Sequence, residues 1–146
     1  MPTKETEAQR AARYAAKDLT DKLGIKPGDA VLLAGAADRD LVARARAKAG
    51  RPAARAGERA DVVLYWPKTA TEITAQLRAL RGRIVESGGI WVISAKRERE
   101  RKDRPYLASD VIGLGLAAGL VDNKVCAISD DDTAMRFVVR RADRSR

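Results

Sequence analysis

Short apolar runs alternate with stretches of helical periodicity along this chain, and that alternation restricts the fold more than any other feature. DAVLLAGA (Asp29–Ala36), DVVLYW (Asp61–Trp66) and IWVISA (Ile90–Ala95) are each too short for a core helix and are bounded by turn residues: Pro27-Gly28, Pro67 and Gly88-Gly89. Runs of this kind read as strands buried on both faces. Between them, Asp38 is placed to cap a helix reaching about Ala49, with Leu41, Val42 and Ala45 inward and Gly50 ending it. Thr69-x-x-Glu72 has capping-box spacing, and Ile73, Leu77, Leu80 and Ile84 follow as one helical stripe.

The flanks complete the pattern. Ala8, Ala12, Ala15, Leu19 and Leu23 recur at three- and four-residue spacing, which predicts an amphipathic helix over residues 5–23. Its Ala-rich face, with Tyr14, suits packing on the body or on a second copy. Arg51–Gly57 reads as a short edge strand, and Gly88-Gly89 as the turn into Ile90–Ala95. Lys96–Pro105 has no apolar partner and reads as a mobile loop. Val121–Ser129 and Thr133–Arg140 are strands joined by Asp130–Asp132, a connection short enough for an antiparallel hairpin. The expected fold is therefore α/β, three-layer α/β/α and Rossmann-like, with a mainly parallel sheet and one antiparallel strand in the C-terminal hairpin. Residues 1–24 would be an N-terminal helix packed on the domain, 25–141 a single Rossmann-like domain, and 142–146 a disordered basic tail.

VIGLGLAAGLVD (Val111–Asp122) places Gly113, Gly115 and Ala118 in the G-x-G-x-x-A spacing of a dinucleotide fingerprint. That motif works only where a strand precedes it and a helix opens from it, so that the pyrophosphate meets the helix N-terminus. Here a polar segment precedes it and a strand follows. With Ser109 or Asp110 as N-cap, both glycines fall inside a helix that Gly119 stops, where they permit close packing on the sheet.

Several chemistries are excluded by residue type. The chain has no histidine and one cysteine, so it carries no Ser-His-Asp triad, Cys-His pair, histidine-bearing zinc site or intrachain disulfide. Cys126 lies in an apolar run and reads as a small core residue, and Asp130–Asp132 as a polar turn without calcium-loop spacing. No apolar run approaches a membrane span, and the N-terminus lacks a signal-peptide stretch, so a cytoplasmic location and no membrane partner are expected. The net charge of +9 is concentrated in Arg39–Arg59, Lys96–Arg104 and Arg136–Arg146. Arg44, Arg51, Arg55, Arg97, Arg99 and Arg101 are accordingly candidate contacts to nucleic acid or to an acidic protein.

A parallel sheet that finishes helix, strand, antiparallel strand resembles the class I S-adenosylmethionine-dependent methyltransferase fold, with DAVLLAGA as its first strand and DVVLYWPK as its fourth. At 146 residues, one or two central strand–helix units must be lost or reduced. In wording, KLGIKPGDAVLL, DVVLYWPK, GGIWVISAK and AAGLVDNKVCAIS together resemble the bacterial family known as domain of unknown function 3052, over roughly Leu19 to Arg141. One departure is the absence of a tryptophan near Asp132. That family label implies no activity.

Ligands of open parallel sheets sit beyond the carboxyl ends of the strands. The candidate cleft residues are thus Gly35, Asp38, Tyr65, Trp66, Lys68, Ser94 and Lys96. Tyr65 and Trp66 read first as aromatics that wedge the strand end onto the following helix, and Lys96 as part of a solvated loop; the alternative has the aromatics stack on a planar ligand while Lys68 or Lys96 meets an anion. The resemblance implies a Gly-rich loop after the first strand and a carboxylate after the second. AGAADRD supplies only Gly35, and Glu58 comes one residue late. The expected function is therefore a non-catalytic binding or regulatory module with no cofactor, acting as monomer or homodimer. The alternatives are a reduced S-adenosylmethionine-dependent methyltransferase and a basic nucleic-acid-binding regulator.

Overall fold

A computed structural model describes residue 6 and residues 18–96, 107–129 and 131–144. Most of the expected N-terminal helix, the Arg97–Pro105 loop and the last two residues lie outside the described residues. In chain order the elements are α1 (Leu19–Lys22), β1 (Val31–Gly35), α2 (Arg39–Ala49), β2 (Ala60–Trp66), α3 (Ile73–Arg81), β3 (Ile84–Ala95), α4 (Ala108–Ala117), β4 (Leu120–Ala127) and β5 (Asp132–Val139). Short 3-10 turns occupy Ala70–Glu72 and Arg141–Asp143.

The five strands form one sheet in the order β1-β2-β3-β5-β4. β1, β2 and β3 are parallel neighbours, and β5 runs against both β3 and β4. The antiparallel strand is therefore internal, inserted between β3 and its own hairpin partner.

Side-chain alternation along β2 divides the core between two faces. Val63 and Tyr65, with Ile90, Val92 and Phe137, pack against Ile73, Leu77 and Leu80 of α3 and Val111 of α4. Val62, Leu64 and Trp66, with Trp91 and Ile93, pack against Leu41, Ala45 and Ala49 of α2 and against Leu23 and Ile25. Helices thus cover both faces, which is why β2 is apolar nearly throughout.

The steps β1 to β2 and β2 to β3 go the same way across the sheet, yet α2 and α3 lie on opposite faces. Taken alone, the two crossovers would have opposite hands, although such crossovers are nearly always right-handed. Ala54 resolves this. Its N–H donates to Val31 O at 2.8 Å, whereas the preceding carbonyl, Ala30 O, faces β2 and accepts from Asp61 N. The chain leaving α2 therefore visits the outer edge of β1 before returning to β2. Counted as a strand position, this single bridge gives both units the same hand. The edge strand expected over Arg51–Gly57 does not form beyond that bond.

Local signals fix several ends. Asp38 caps α2 by accepting from Asp40 N at 2.9 Å, and Gly50 closes it with φ 69°. Three expectations are corrected. Ile84 belongs to β3, because α3 ends at Arg81. Gly88-Gly89 lies inside β3 and is not a turn before it. α4 starts at Ala108 rather than after a Ser109 or Asp110 cap: the Asp110 carboxylate reaches back to Leu107 N at 2.9 Å. Gly113 and Gly115 do sit inside α4, and Gly119 follows it with φ 82°.

Candidate functional site

The parallel strands bring three of the expected segments to one edge of the sheet. Gly35 pairs with Trp66, and Tyr65 with Val92, so Gly35–Asp38, Trp66–Lys68 and Ser94–Lys96 follow neighbouring strand ends. Gly35 has φ 90°, and a Cβ there would lie 2.1 Å from Trp66 O. Only glycine can turn the chain at that place. Its turn leaves Ala36 and Asp38 exposed at the head of α2.

Tyr65 and Trp66 do not form a stacking platform. As successive strand residues they face opposite layers, and they are 2% and 7% exposed. The Tyr65 phenol donates to Glu72 Oε2 at 2.9 Å, and Lys68 N and Thr69 N donate to Glu72 Oε1. The aromatic pair therefore wedges the end of β2 onto both layers, and Glu72 ties the following turn to it. Lys68 remains exposed at the rim. Lys96 N donates to Asp131 O at 2.9 Å, extending the β3–β5 pairing. Ser94 is fully buried, and its Oγ has no hydrogen-bond partner among the described residues. Such an orphan is unusual in a core and marks this end of β3 as incompletely satisfied.

Glu58 lies elsewhere. It precedes β2 and so sits at the amino end of the sheet, where it accepts from Arg51 Nη2 at 2.6 and 2.7 Å and from Arg55 N at 3.1 Å. The Arg51 hydrogen bonds hold its carboxyl below the ordinary carboxylate range. It cannot serve a ligand at the carboxyl ends.

The arginine candidates do not converge. Arg44 pairs with Asp18 at 3.2 Å, Arg51 with Glu58, and Arg55 is exposed; Arg97, Arg99 and Arg101 lie outside the described residues. Cys126 is 2% exposed, and burial raises its thiol pKa. No cluster of three or more metal-ligating side chains occurs among the described residues. No described helix is long and apolar enough to cross a membrane. A further feature had no expectation attached: a cavity of about 290 Å³ at the amino ends of the strands, lined by Arg136, Lys124 and Gly88 among others. Its sequence signals were Gly88-Gly89 beside an apolar run and single cations within two strands.

No family model matches the sequence, and no curated protein does. The likeness to domain of unknown function 3052 thus gains no support from a family model. Solved structures do match. Magnesium protoporphyrin IX methyltransferase from Synechocystis PCC 6803, with bound S-adenosylhomocysteine, shares 12% identity at a TM-score of 0.56 over 96% of this chain and 90% of that one. The neocarzinostatin-biosynthesis O-methyltransferase NcsB1 gives 13% and 0.62 over 89% of this chain and 53% of the other. CalO1 from calicheamicin biosynthesis gives 16% and 0.59 over 90% and 56%. At these identities the likeness establishes the fold: a Rossmann-like, methyltransferase-type α/β sheet. It also corrects the expectation of no cofactor, because the neighbours of this fold were solved holding S-adenosylmethionine or S-adenosylhomocysteine.

Proposed function

We propose that this chain is a reduced S-adenosylmethionine-dependent methyltransferase whose cofactor crevice lies at the carboxyl ends of β1 and β2. The observation that carries the reading is the combination of this sheet, with its reversed internal β5, and a glycine-only turn at the end of β1. Bound there, S-adenosylmethionine would supply an electrophilic methyl group.

The residues present fit the amino-acid end of that molecule. Gly35 carries no side chain over the turn, so the exposed backbone of Ala36 is open to close approach, while Ala37 N donates to Gly35 O at 3.0 Å. One oxygen of Asp38 caps α2, which leaves the other to meet the ligand ammonium. The ribose end has no counterpart to the carboxylate expected after a second strand, because that strand is reduced to the Ala54 bridge. Lys68 is exposed at the rim, which supports a role in orienting an anionic methyl acceptor. Tyr65 and Trp66, buried at the end of β2, would support the crevice from beneath.

Calorimetric titration with S-adenosylmethionine and S-adenosylhomocysteine tests the reading. A Kd of about 1 μM, equivalent to about −8 kcal/mol, is expected. Asp38→Asn, which keeps a good N-cap, should weaken binding about tenfold through the lost charge. Glu58→Ala should leave it unchanged. Absence of heat at two temperatures would overturn the proposal.

A further inference from the structure

We propose that the cavity at the amino ends of β1–β3 is a second binding site, for a small phosphate-bearing molecule seated on Arg136 and Lys124. It lies at the end of the sheet opposite the cofactor crevice and does not depend on the methyltransferase reading.

The cavity exists because β3 bulges. Two steps of β2, from Ala60 to Val62, lie opposite five steps of β3, from Ile84 to Gly89. Val85, Ser87 and Gly88, within the excess segment, line the resulting space of about 290 Å³. Bulges of this kind are enriched beside functional sites, where they re-aim side chains and interrupt pairing.

Two cations are held against each other at its wall. Lys124 of β4 is the direct cross-strand partner of Arg136 of β5, beside a second register shift between Asp122 and Lys124. Like charges in directly opposed positions destabilise a sheet. On its other side Arg136 pairs with Trp91, whose indole N–H is already engaged with Leu23 O at 3.0 Å. None of the described hydrogen bonds or ion pairs reaches the Arg136 guanidinium, although the residue is partly buried. Burial, and the charge of Arg144, lower its pKa from the ordinary value, as expected for a cation short of counter-charge.

Gly89 makes room for it. A Cβ at that position would lie 2.3 Å from Arg136 Nε. A glycine within a strand weakens it and marks a close approach, and here the approaching group is the guanidinium stem.

Lys22 and Lys26 also line the cavity, with Asp29 and Asp61 as its carboxylates. Each carboxylate accepts from a backbone N–H: Asp29 from Lys26 at 2.9 Å and Asp61 from Ala30 at 2.8 Å. No described ion pair reaches Arg136 or Lys124, which leaves a surplus of two positive charges on the cavity wall. A phosphomonoester, at about −1.5 to −2 near neutral pH, matches that surplus better than a single carboxylate does. The guanidinium fork suits its oxygens, and a space of about 290 Å³ suits a small ester.

Inorganic phosphate titrated into the 146-residue chain is the direct test, read by the NMR signal of the Trp91 indole N–H and by thermal unfolding. A saturable Trp91 shift is expected, with Tm rising with phosphate concentration because the ligand binds only the folded state. Arg136→Gln and Gly89→Ala should each weaken the response at least about tenfold. Arg136→Gln should unfold no lower than the parent in phosphate-free buffer, since it relieves the opposed cations. A purely structural arginine would not behave so. S-adenosylmethionine titrations of the same variants should match the parent, which keeps the two proposals separable. A Trp91 signal indifferent to phosphate, or a response retained in both variants, would overturn the site. So would Arg136-dependent capture of a single-stranded oligonucleotide without any response to inorganic phosphate.

Discussion

The Tyr65 phenol and the Glu72 carboxylate are joined by a 2.9 Å hydrogen bond that fastens the end of β2 to the turn leading into α3. The other carboxylate oxygen accepts from Lys68 N and Thr69 N, so one side chain satisfies a buried hydroxyl and two backbone donors. Glu72→Ala should therefore cost about 2–3 kcal/mol, combining the lost phenol hydrogen bond with the two lost backbone bonds of the cap. Tyr65→Phe, which removes donor and need together, should cost only about 1 kcal/mol. Urea unfolding of the two variants checks the ranking. Equal losses would show that the backbone bonds from Lys68 N and Thr69 N add no stability.

The paired glycines of α4 separate by environment. A Cβ on Gly115 would lie 2.0 Å from Phe137 Cε1, whereas nothing lies within 4 Å of one on Gly113. Gly115→Ala should overpack the α4–β5 contact and destabilise by about 1–3 kcal/mol. Gly113→Ala should stabilise by about 0.4–1 kcal/mol, because it restricts only the unfolded chain. Melting temperatures moving in opposite directions are the expected result.

Asp18 caps α1, and its carboxyl pKa is lowered from 3.8 to about 2 by hydrogen bonds from the Thr20 hydroxyl and Thr20 N and by Arg44. The folded pKa lies below the unfolded one, so the stabilisation is complete above the unfolded value and fades as pH falls toward about 2. Glu58, lowered chiefly by Arg51, adds to the same acid-side loss. Thermal unfolding between pH 6 and pH 2, as an order-of-magnitude window for carboxylate titration, should show a steepening loss that Asp18→Asn reduces. An unchanged slope would remove Asp18 from the account.

Cys126 sits in β4 against the α2 face of the sheet, with its thiol pKa raised by burial. A thiol reagent should react slowly with the native protein and rapidly once urea unfolds it. Fast native modification would show that β4 opens readily at the sheet edge.

Much of the architecture is written in short-range chemistry. Asp38 and Gly50 bound α2, Glu72 sets the turn before α3, and the position of Gly113 and Gly115 inside α4 removes the dinucleotide reading, each within a few residues of chain. These follow from local hydrogen bonds and allowed dihedrals, which act between near neighbours. Other features depend on bonds to distant segments. Gly88-Gly89 hints at a break in a strand, but the size of the bulge over Val85–Gly88 is defined only against Ala60–Val62 of β2. Ile84 continues the stripe of α3, yet backbone pairing with Ala60 draws it into β3. Glu58 stands close in sequence to an expected ribose carboxylate, but the loss of a strand leaves it at the wrong end of the sheet. The opposition of Lys124 and Arg136 likewise arises from register across a hairpin that folds inside the sheet. Helix ends and strand identities are settled by local backbone energetics, whereas register, bulges and the meeting of charges are settled by which distant strand supplies the hydrogen bonds.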